Sequence, residues 1–390
     1  MRAPWIMALL AIMSSFPPLS IDMGLPAMGA IQTTLGGTAR DQELMLSVFM
    51  AGFAFTPLFY GALSDRVGRK PALYLGLGLF TAAGWLCTFA PTMGWLLAGR
   101  FFQGSGAGAG TSLAFAIVRD KFNGPKLGSR LSILAMVVNT APMIAPSLGA
   151  LLLGVTGWRG IYGVLATLGA LTWGLVWLFL PETHPNHAAR TEANLKSAIQ
   201  TLWRHPNALA HVAVYGISFS SVFAYIASSS LLLIGFFHIS RYQFALLFAL
   251  TAAGIVAGAF TSGRLATRVA GRHLIATGLA CCLAGPAIIA LTFFTRHTSL
   301  PITMMALVLA TFGNGLVNPA ATRGALTHFP QIAGLIGALL TTGQMSFCAL
   351  SSFVAALLVN RWGVQSIPLV MMGFAILAAT VYKFGTKSEA

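Results

Sequence analysis

The stretch Gly61-Ala-Leu-Ser-Asp65-Arg66-Val-Gly68-Arg69-Lys70-Pro71 is a short polar segment between two long apolar runs of the chain. A partial copy begins 202 residues later, where Gly263-Arg-Leu265-Ala-Thr267-Arg268-Val269 matches positions 61–67, and Gly271-Arg272 follows after one inserted residue. Both copies connect the second apolar run of their half of the chain to the third. A repeat at about half the chain length predicts two halves related by pseudo-symmetry.

The composition around this repeat is that of a membrane protein. Of 390 residues, 56% are hydrophobic and 8% are charged, against roughly 25% charged residues in soluble domains, which excludes a typical soluble enzyme. At ~20 residues per spanning helix there is room for about twelve spans. The apolar runs are continuous and lack the alternation of a lipid-facing strand, which indicates helices throughout. The predicted spans 1 to 12 are residues 5–27, 44–62, 72–90, 95–118, 130–154, 159–180, 208–233, 243–262, 274–294, 300–322, 332–358 and 365–382.

The net charge of +15 is distributed unevenly over the loops between these spans. One side of the membrane receives 17 Lys and Arg residues and the other side only five, while Arg100 lies within span 4. The positive-inside rule therefore predicts that both termini are cytoplasmic. The basic excess reflects this topology, so we expect a lipid bilayer as partner and no nucleic acid.

The least hydrophobic stretch of the chain separates six spans from six. We predict an N-terminal six-helix bundle at 1–181, a cytoplasmic linker at 182–207 and a C-terminal six-helix bundle at 208–390. All four cysteines fall within predicted spans, where they behave as small apolar residues, so no disulfide or metal site is expected. The sequence also lacks a phosphate-binding loop and a catalytic constellation, so we expect neither an enzyme nor a cofactor. The glycine-rich run Gly104–Gly110 is interpreted as a helix-packing surface.

The loop quoted first resembles the signature of the major facilitator superfamily. Gly61 and Gly68 permit a tight turn, and Asp65 could sit against the positive N-terminal end of another helix, with span 11 as the best candidate. The resemblance implies a role in conformational gating for the loop as a whole, including the basic residues Arg66, Arg69 and Lys70.

A charged residue within span 4 also fits this superfamily. Arg100 precedes Gln103 and Gly104, and an arginine inside a membrane costs roughly 2.5–3.5 kcal/mol even on lenient scales, so it should face a cavity or a carboxylate. Its predicted partner is Asp22, interpreted as the only acidic residue clearly inside an apolar span. The alternatives are that Arg100 extends outward to the interface and that Asp22 is a helix-end residue in water.

The segment Ile21-Asp22-Met23-Gly24-Leu25-Pro26 resembles span 1 of the bicyclomycin-resistance (Bcr/CflA) branch of drug:proton antiporters, and the likeness extends over essentially the whole chain. In span 5, Pro142 and Pro146 are similar to the proline-and-glycine motif of superfamily antiporters, although alanines replace three of its glycines. This replacement preserves small size, so we expect close helix packing and a bend there. The resemblance implies a role in conformational gating for Pro142 and Pro146 as well.

The resemblance implies an all-α major facilitator fold in which spans 1, 4, 7 and 10 line a central cavity. It also implies proton-coupled efflux of small amphipathic molecules or drugs, by a monomer in the bacterial cytoplasmic (inner) membrane, with Asp22 and Arg100 coupling proton movement. An exporter dedicated to one metabolite or siderophore, a channel and a membrane-embedded enzyme are the alternatives. The expected substrate-binding residues are Asp22, Arg100, Gln103, Asn139, Tyr225, Asn314, Asn318 and Gln344.

Overall fold

A computed structural model describes residues 3–122, 125–183, 205–327 and 333–386, without the side chains of residues 3–4, 125–126 and 333–335. Most of the predicted linker at 182–207 lies outside these ranges. By its internal contacts the chain divides into two compact units, Met1–Thr191 and Glu192–Ala390.

Every regular element in the described ranges is a helix. The first unit contains α1 Ala3–Asp22, α2 Met28–Leu35, α3 Ala39–Ala54, α4 Thr56–Val67, α5 Arg69–Thr88, α6 Met93–Lys121 and α7 Pro125–Phe179. The second contains α8 Pro206–Ser230, α9 Arg241–Leu265, α10 Gly271–Phe294, α11 Leu300–Thr327, α12 Ala333–Trp362 and α13 Ser366–Gly385.

These helices account for the twelve predicted spans. Within the described residues, nine stretches are long and apolar enough to cross a membrane. Two of them, Leu127–Phe179 and Ile336–Gly385, contain two spans each. The helix α6, whose glycines lower its hydropathy, supplies the remaining span. Spans 1 and 2 are each built from two consecutive helices, α1 with α2 and α3 with α4.

The helix α6 packs closely in the first unit because of its glycines. A Cβ atom at Gly104 would overlap the carbonyl oxygen of Phe49 on α3, and one at Gly106 would overlap the backbone of Phe80 on α5. Side chains at these positions would hold the helices apart, so small residues set the spacing. The predicted packing role of this glycine run is confirmed.

The long helix α7 contains spans 5 and 6, and its backbone leaves helical angles at Gly157, with φ of 69°. Helical angles continue through Pro142 and Pro146. The predicted close packing of span 5 is found one turn later, where a Cβ atom at Gly149 would overlap the carbonyl oxygen of Met23.

The second unit repeats the glycine packing of the first. Gly313 and Gly315 on α11 lie against the backbones of α10 and α9, in the span that corresponds to α6. The end of span 7 is different, because α8 continues into a π-helix at Leu231–Phe236.

Candidate functional site

Asp22 is the last residue of α1, and its side chain is buried with 4% of its surface exposed. The helix ends there because Gly24 and Pro26 follow, and proline cannot donate the next helical hydrogen bond. The chain continues as a short 3₁₀ helix at Leu25–Ala27, whose residues are also buried. The carboxyl group therefore lies inside the packed unit rather than at a solvated helix end.

Arg100 on α6 is equally buried, with 2% exposed, so it does not extend to the interface. Its Nη1 donates a hydrogen bond of 2.7 Å to Gln103 Oε1, and its guanidinium lies 4.3 Å from the centroid of the Phe49 ring. Cation–π contacts of this kind are worth about 2 kcal/mol when water is excluded. The buried Arg100 Nε and Gln103 Nε2 have no acceptor among the described residues, so two neighbouring donors remain available.

The predicted ion pair between Asp22 and Arg100 is not formed among the described residues. Tyr162 on α7 connects the two neighbourhoods instead. Its ring centroid is 5.7 Å from the Arg100 guanidinium, and its hydroxyl oxygen is 3.6 Å from where a Cβ atom of Gly24 would lie. Tyr162 therefore lies near Arg100 and also near Gly24, two residues after Asp22. Sequence reasoning missed Tyr162 and Phe49, because aromatic residues in an apolar span look like ordinary core residues.

A second buried carboxyl group lies in the first unit and was also missed. Glu43 precedes predicted span 2 by one residue, but α3 begins four residues earlier, at Ala39, and the Glu43 side chain is only 1% exposed. The interpretation of Asp22 as the only acidic residue clearly inside a span was therefore wrong. Thr38 and Asp41 have the spacing of a capping box, which marks the start of a helix. This signal could have placed the helix start before Glu43.

The substrate candidates of the second unit fall into separate groups. Asn314 Nδ2 donates to Ser218 Oγ at 3.4 Å, and Asn318 Nδ2 donates to Asn314 Oδ1 at 3.1 Å, so α8 and α11 share a chain of uncharged polar groups. Tyr225 pairs instead with Thr251 of α9, at 3.3 Å between their oxygens. Sequence reasoning missed Ser218, which is one of several similar serines on span 7.

The two remaining candidates differ in their surroundings. Asn139 is exposed, and its amide donates to the carbonyl of Ala135 within its own helix. Gln344 is buried, and its backbone lies close to Gly216 of α8.

The loop at residues 61–71 forms an ionic cluster around Arg69, whose side chain is buried. Arg69 Nη1 donates to Asp65 Oδ1 at 2.7 Å and to Ser64 Oγ at 2.6 Å, and Arg69 Nε donates to Asp120 Oδ2 at 2.8 Å. Asp120 belongs to α6, so the cluster joins spans 2, 3 and 4. Sequence reasoning missed Asp120, whose position at the end of α6 resembled an ordinary helix terminus.

A second carboxylate occupies the N-terminus of α5. The oxygens of Glu182, after span 6, accept hydrogen bonds from the backbone N–H groups of Arg69 and Lys70 at 2.9 and 3.0 Å. The carboxylate meets the positive end of the helix, which is the kind of contact expected of Asp65.

The other residues of this loop differ in their surroundings. Gly68 has φ of +99°, a conformation that favours glycine. Lys70 Nζ donates to the carbonyl of Trp177, Arg66 is exposed, and a Cβ atom at Gly61 would contact nothing.

Within the described ranges, no cluster of His, Cys, Asp and Glu side chains could hold a metal ion.

The helices and the buried charges define a multi-pass membrane transporter. The profile of the Major Facilitator Superfamily matches residues 7–352, and the chain belongs to this superfamily. It is therefore a transporter of small molecules and not an enzyme.

Curated relatives confirm the resemblance to the bicyclomycin-resistance branch. The chain is 28% identical over 353 residues to the Bicyclomycin resistance protein homolog of Haemophilus influenzae, covering 89% of this chain and 87% of the relative. It is 30% identical over 346 residues to the Multidrug resistance protein MdtL of Escherichia fergusonii, covering 88% and 87%.

Solved structures agree on the fold. A bacterial homolog of the human lysosomal transporter Spinster, in an inward-facing and occupied conformation, superposes with a TM-score of 0.79 at 15% identity, over 99% of this chain and 97% of that one. A D-xylose–proton symporter gives a TM-score of 0.76 at 14% identity, with 98% of each chain covered. At these identities the likeness concerns the fold alone.

Proposed function

We propose that this chain is a proton-coupled antiporter that exports small amphipathic molecules from the bacterial cytoplasm by alternating access. The observation that carries the proposal is a pair of buried donors, Arg100 Nε and Gln103 Nε2, that have no acceptor among the described residues and lie in the same unit as the buried carboxyl group of Asp22. A buried cation with an open donor binds an acceptor at low electrostatic cost, whereas a buried carboxylate is costly unless it is paired or protonated.

This arrangement supports exchange of a proton for a substrate. When Asp22 is protonated it needs no counter-charge, and the donors of Arg100 and Gln103 can bind a substrate acceptor. When substrate leaves, the same donors can stabilise the ionised Asp22, with Tyr162 near both Arg100 and Gly24. Movement of the carboxyl group between these environments loads and releases the proton.

The energy available to such a cycle is sufficient for uphill export. A membrane potential supplies about 2.3 kcal/mol per charge per 100 mV, so one proton crossing roughly 150 mV could sustain a few-hundred-fold gradient of a neutral substrate. A nucleotide-driven motor is not required.

The substrate class follows from the lining groups and the relatives. The named relatives are drug-resistance proteins, and the candidate polar groups of the second unit, Asn314, Asn318 and Ser218, carry no charge. Amides and hydroxyls of this kind bind neutral hydrogen-bonding molecules, and apolar side chains accommodate the rest of an amphipathic drug. We therefore expect neutral or zwitterionic substrates.

The topology and the gating roles form part of the same proposal. The protein is a monomer in the inner membrane with both termini and the 182–207 linker in the cytoplasm, because 17 of the loop cations lie on that side. The loop around Arg69 is the gating element, and Pro142 and Pro146 of α7 take part in the same change of state.

The test uses the purified protein in proteoliposomes with an imposed pH gradient and bicyclomycin as the probe. The native chain should accumulate bicyclomycin against its gradient with counter-movement of protons, and a protonophore should abolish the accumulation. Asp22→Asn mimics the protonated carboxyl, so it should still exchange bicyclomycin but should no longer accumulate it against its gradient or move protons. Native protein that carries bicyclomycin without proton movement would refute antiport. Competition by unrelated drugs distinguishes a multidrug exporter from a dedicated one.

A further inference from the structure

Three uncharged side chains, Asn318, Asn314 and Ser218, are connected by hydrogen bonds inside the second unit, and we call them the α8–α11 network. Asn318 Nδ2 donates to Asn314 Oδ1 at 3.1 Å, and Asn314 Nδ2 donates to Ser218 Oγ at 3.4 Å. The hydroxyl of Ser218 donates in turn to the backbone carbonyl of Tyr215, also at 3.4 Å. Asn314 and Ser218 are buried, whereas Asn318 is partly exposed, so the network ends at its most accessible member.

The backbone carbonyl at the other end of the network sets the direction of every hydrogen bond in it. A carbonyl oxygen can only accept, so Ser218 donates its one hydroxyl proton to Tyr215 and its oxygen accepts from Asn314. Asn314 therefore presents its amide nitrogen to Ser218 and its amide oxygen to Asn318. Asn318 must donate to that oxygen from its own nitrogen, and its amide oxygen, Oδ1, is left as an acceptor.

Asn318 Oδ1 has no hydrogen-bond partner among the described residues, although the atom is shielded from solvent. The next hydroxyl along α11, that of Thr322, donates to the backbone carbonyl of Asn318 at 2.8 Å and not to its side chain. A shielded amide oxygen without a donor has lost its hydrogen bond to water and gained none in return, which is unfavourable. Such an atom needs a donor from a molecule that binds beside it.

Helix packing does not explain an asparagine at position 318. The bond between Asn314 on α11 and Ser218 on α8 joins two helices, as polar side chains often do inside a membrane. The bond between Asn318 and Asn314 connects residues four apart on one helix, so it joins no second helix. The contribution of Asn318 is therefore the acceptor that it presents.

We propose that Asn318 Oδ1 accepts a hydrogen bond from the transported substrate, and that Ser218 holds this oxygen in place by acting through Asn314. The inference rests on the proposed function and narrows its substrate class. The substrates are neutral molecules that carry a hydroxyl or an amide N–H group. An ammonium group fits less well, because the α8–α11 network offers it no counter-charge.

Ser218 is a positioning residue in this proposal, since it acts on the substrate only through the orientation of two amides. Without its hydroxyl, Asn314 Nδ2 loses its acceptor and both amide groups are free to turn over together. The network would then present an amide nitrogen of Asn318 as readily as Oδ1. The preference for a donor on the substrate should be lost, while the space around it is unchanged.

The test is equilibrium binding to the purified protein in lipid nanodiscs, without a pH gradient. The probes are bicyclomycin, which carries several hydroxyl and amide N–H groups, and a series of its mono-O-methyl and mono-N-methyl derivatives, each of which lacks one donor. For the native chain, one derivative should bind about five- to tenfold more weakly than bicyclomycin, the range expected for one hydrogen bond between uncharged groups.

The variants are compared by the ratio of these two affinities, which corrects for the bulk of the added methyl group. Asn318→Leu and Ser218→Ala should each bring the ratio close to one. A merely structural role of Ser218 would weaken both probes alike and leave the ratio unchanged. Thr322→Val is the matched control, because it removes a hydroxyl one turn further along α11 that bonds only to the backbone. It should keep the native ratio.

Two results would overturn the role of Asn318 and leave proton antiport intact. One is native protein that binds bicyclomycin and every derivative equally, and the other is an unchanged ratio in Asn318→Leu. The proposed antiport fails separately. Native protein that shows the preference in nanodiscs but moves no protons in proteoliposomes would refute antiport while supporting the inference about Asn318.

Discussion

At the scale of single residues, this transporter holds a buried arginine that forms no ion pair with a carboxylate among the described residues. Arg100 is stabilised by the amide of Gln103 and by the face of Phe49, neither of which is a titratable group. Amide and aromatic contacts are weaker than a buried ion pair, so the guanidinium remains able to bind an arriving acceptor. The shape of the guanidinium matters as much as its charge.

We therefore predict that Arg100→Ala abolishes transport and that Arg100→Lys restores little of it. A lysine keeps the positive charge, but it cannot stack as a plane on Phe49 while donating to Gln103. Counterflow of labelled bicyclomycin should be at least tenfold slower in the lysine variant than in the native chain. Size-exclusion profiles check that both variants fold. Native rates in Arg100→Lys would show that charge alone is sufficient.

At the scale of elements, the glycines of α6 set the distances at which α3 and α5 pack, and hence the position of Phe49 beneath Arg100. The neighbour of Gly104 is the backbone of Phe49, which cannot rotate away as a flexible side chain could. Any added side chain there must move α3 as a whole. The position of the contact between Phe49 and Arg100 thus depends on Gly104, a residue without a side chain.

Gly104→Ala should lower the stability of the protein by about 1–3 kcal/mol, because overpacking displaces backbone. Gly94→Ala on the same helix is the control, since a Cβ atom there would only approach Thr92 Oγ1 at 3.9 Å. Thermal unfolding in detergent should show a lower midpoint for Gly104→Ala and an unchanged or higher one for Gly94→Ala. Equal midpoints would mean that α3 adapts without cost.

At the scale of the whole molecule, the ionic cluster around Arg69 combines an exposed and a buried acidic partner. The side chain of Asp65 is 48% exposed, whereas that of Asp120 is 9% exposed. An exposed pair contributes about 0–1 kcal/mol, but removal of one partner from a buried pair costs about 3–5 kcal/mol. The two carboxylates should therefore serve different purposes, one in the change between states and the other in the fold.

We expect Asp65→Asn to leave the unfolding temperature unchanged and to slow substrate exchange, because a charge that favours one state is lost. Asp120→Asn should instead lower the unfolding temperature, since Arg69 is left buried with weaker acceptors. Exchange rates and thermal unfolding are measured on both variants. Native turnover in Asp65→Asn would contradict a gating role for this residue.

Much of this description could be predicted from the sequence alone. The twelve spans, the superfamily and the packing role of the α6 glycines depend on local hydropathy and on short motifs, which are properties of neighbouring residues. The burial of Glu43 was not predicted, because the helix begins five residues before the predicted span 2 and this earlier start brings a polar residue into the interior. Only the tertiary structure showed that Arg100 binds Gln103 and Phe49 rather than Asp22, and that Glu182 caps α5 across 113 residues of chain. The contacts of Arg100 with Phe49 and of Glu182 with α5 are decided by tertiary packing, and no local pattern in the chain records that.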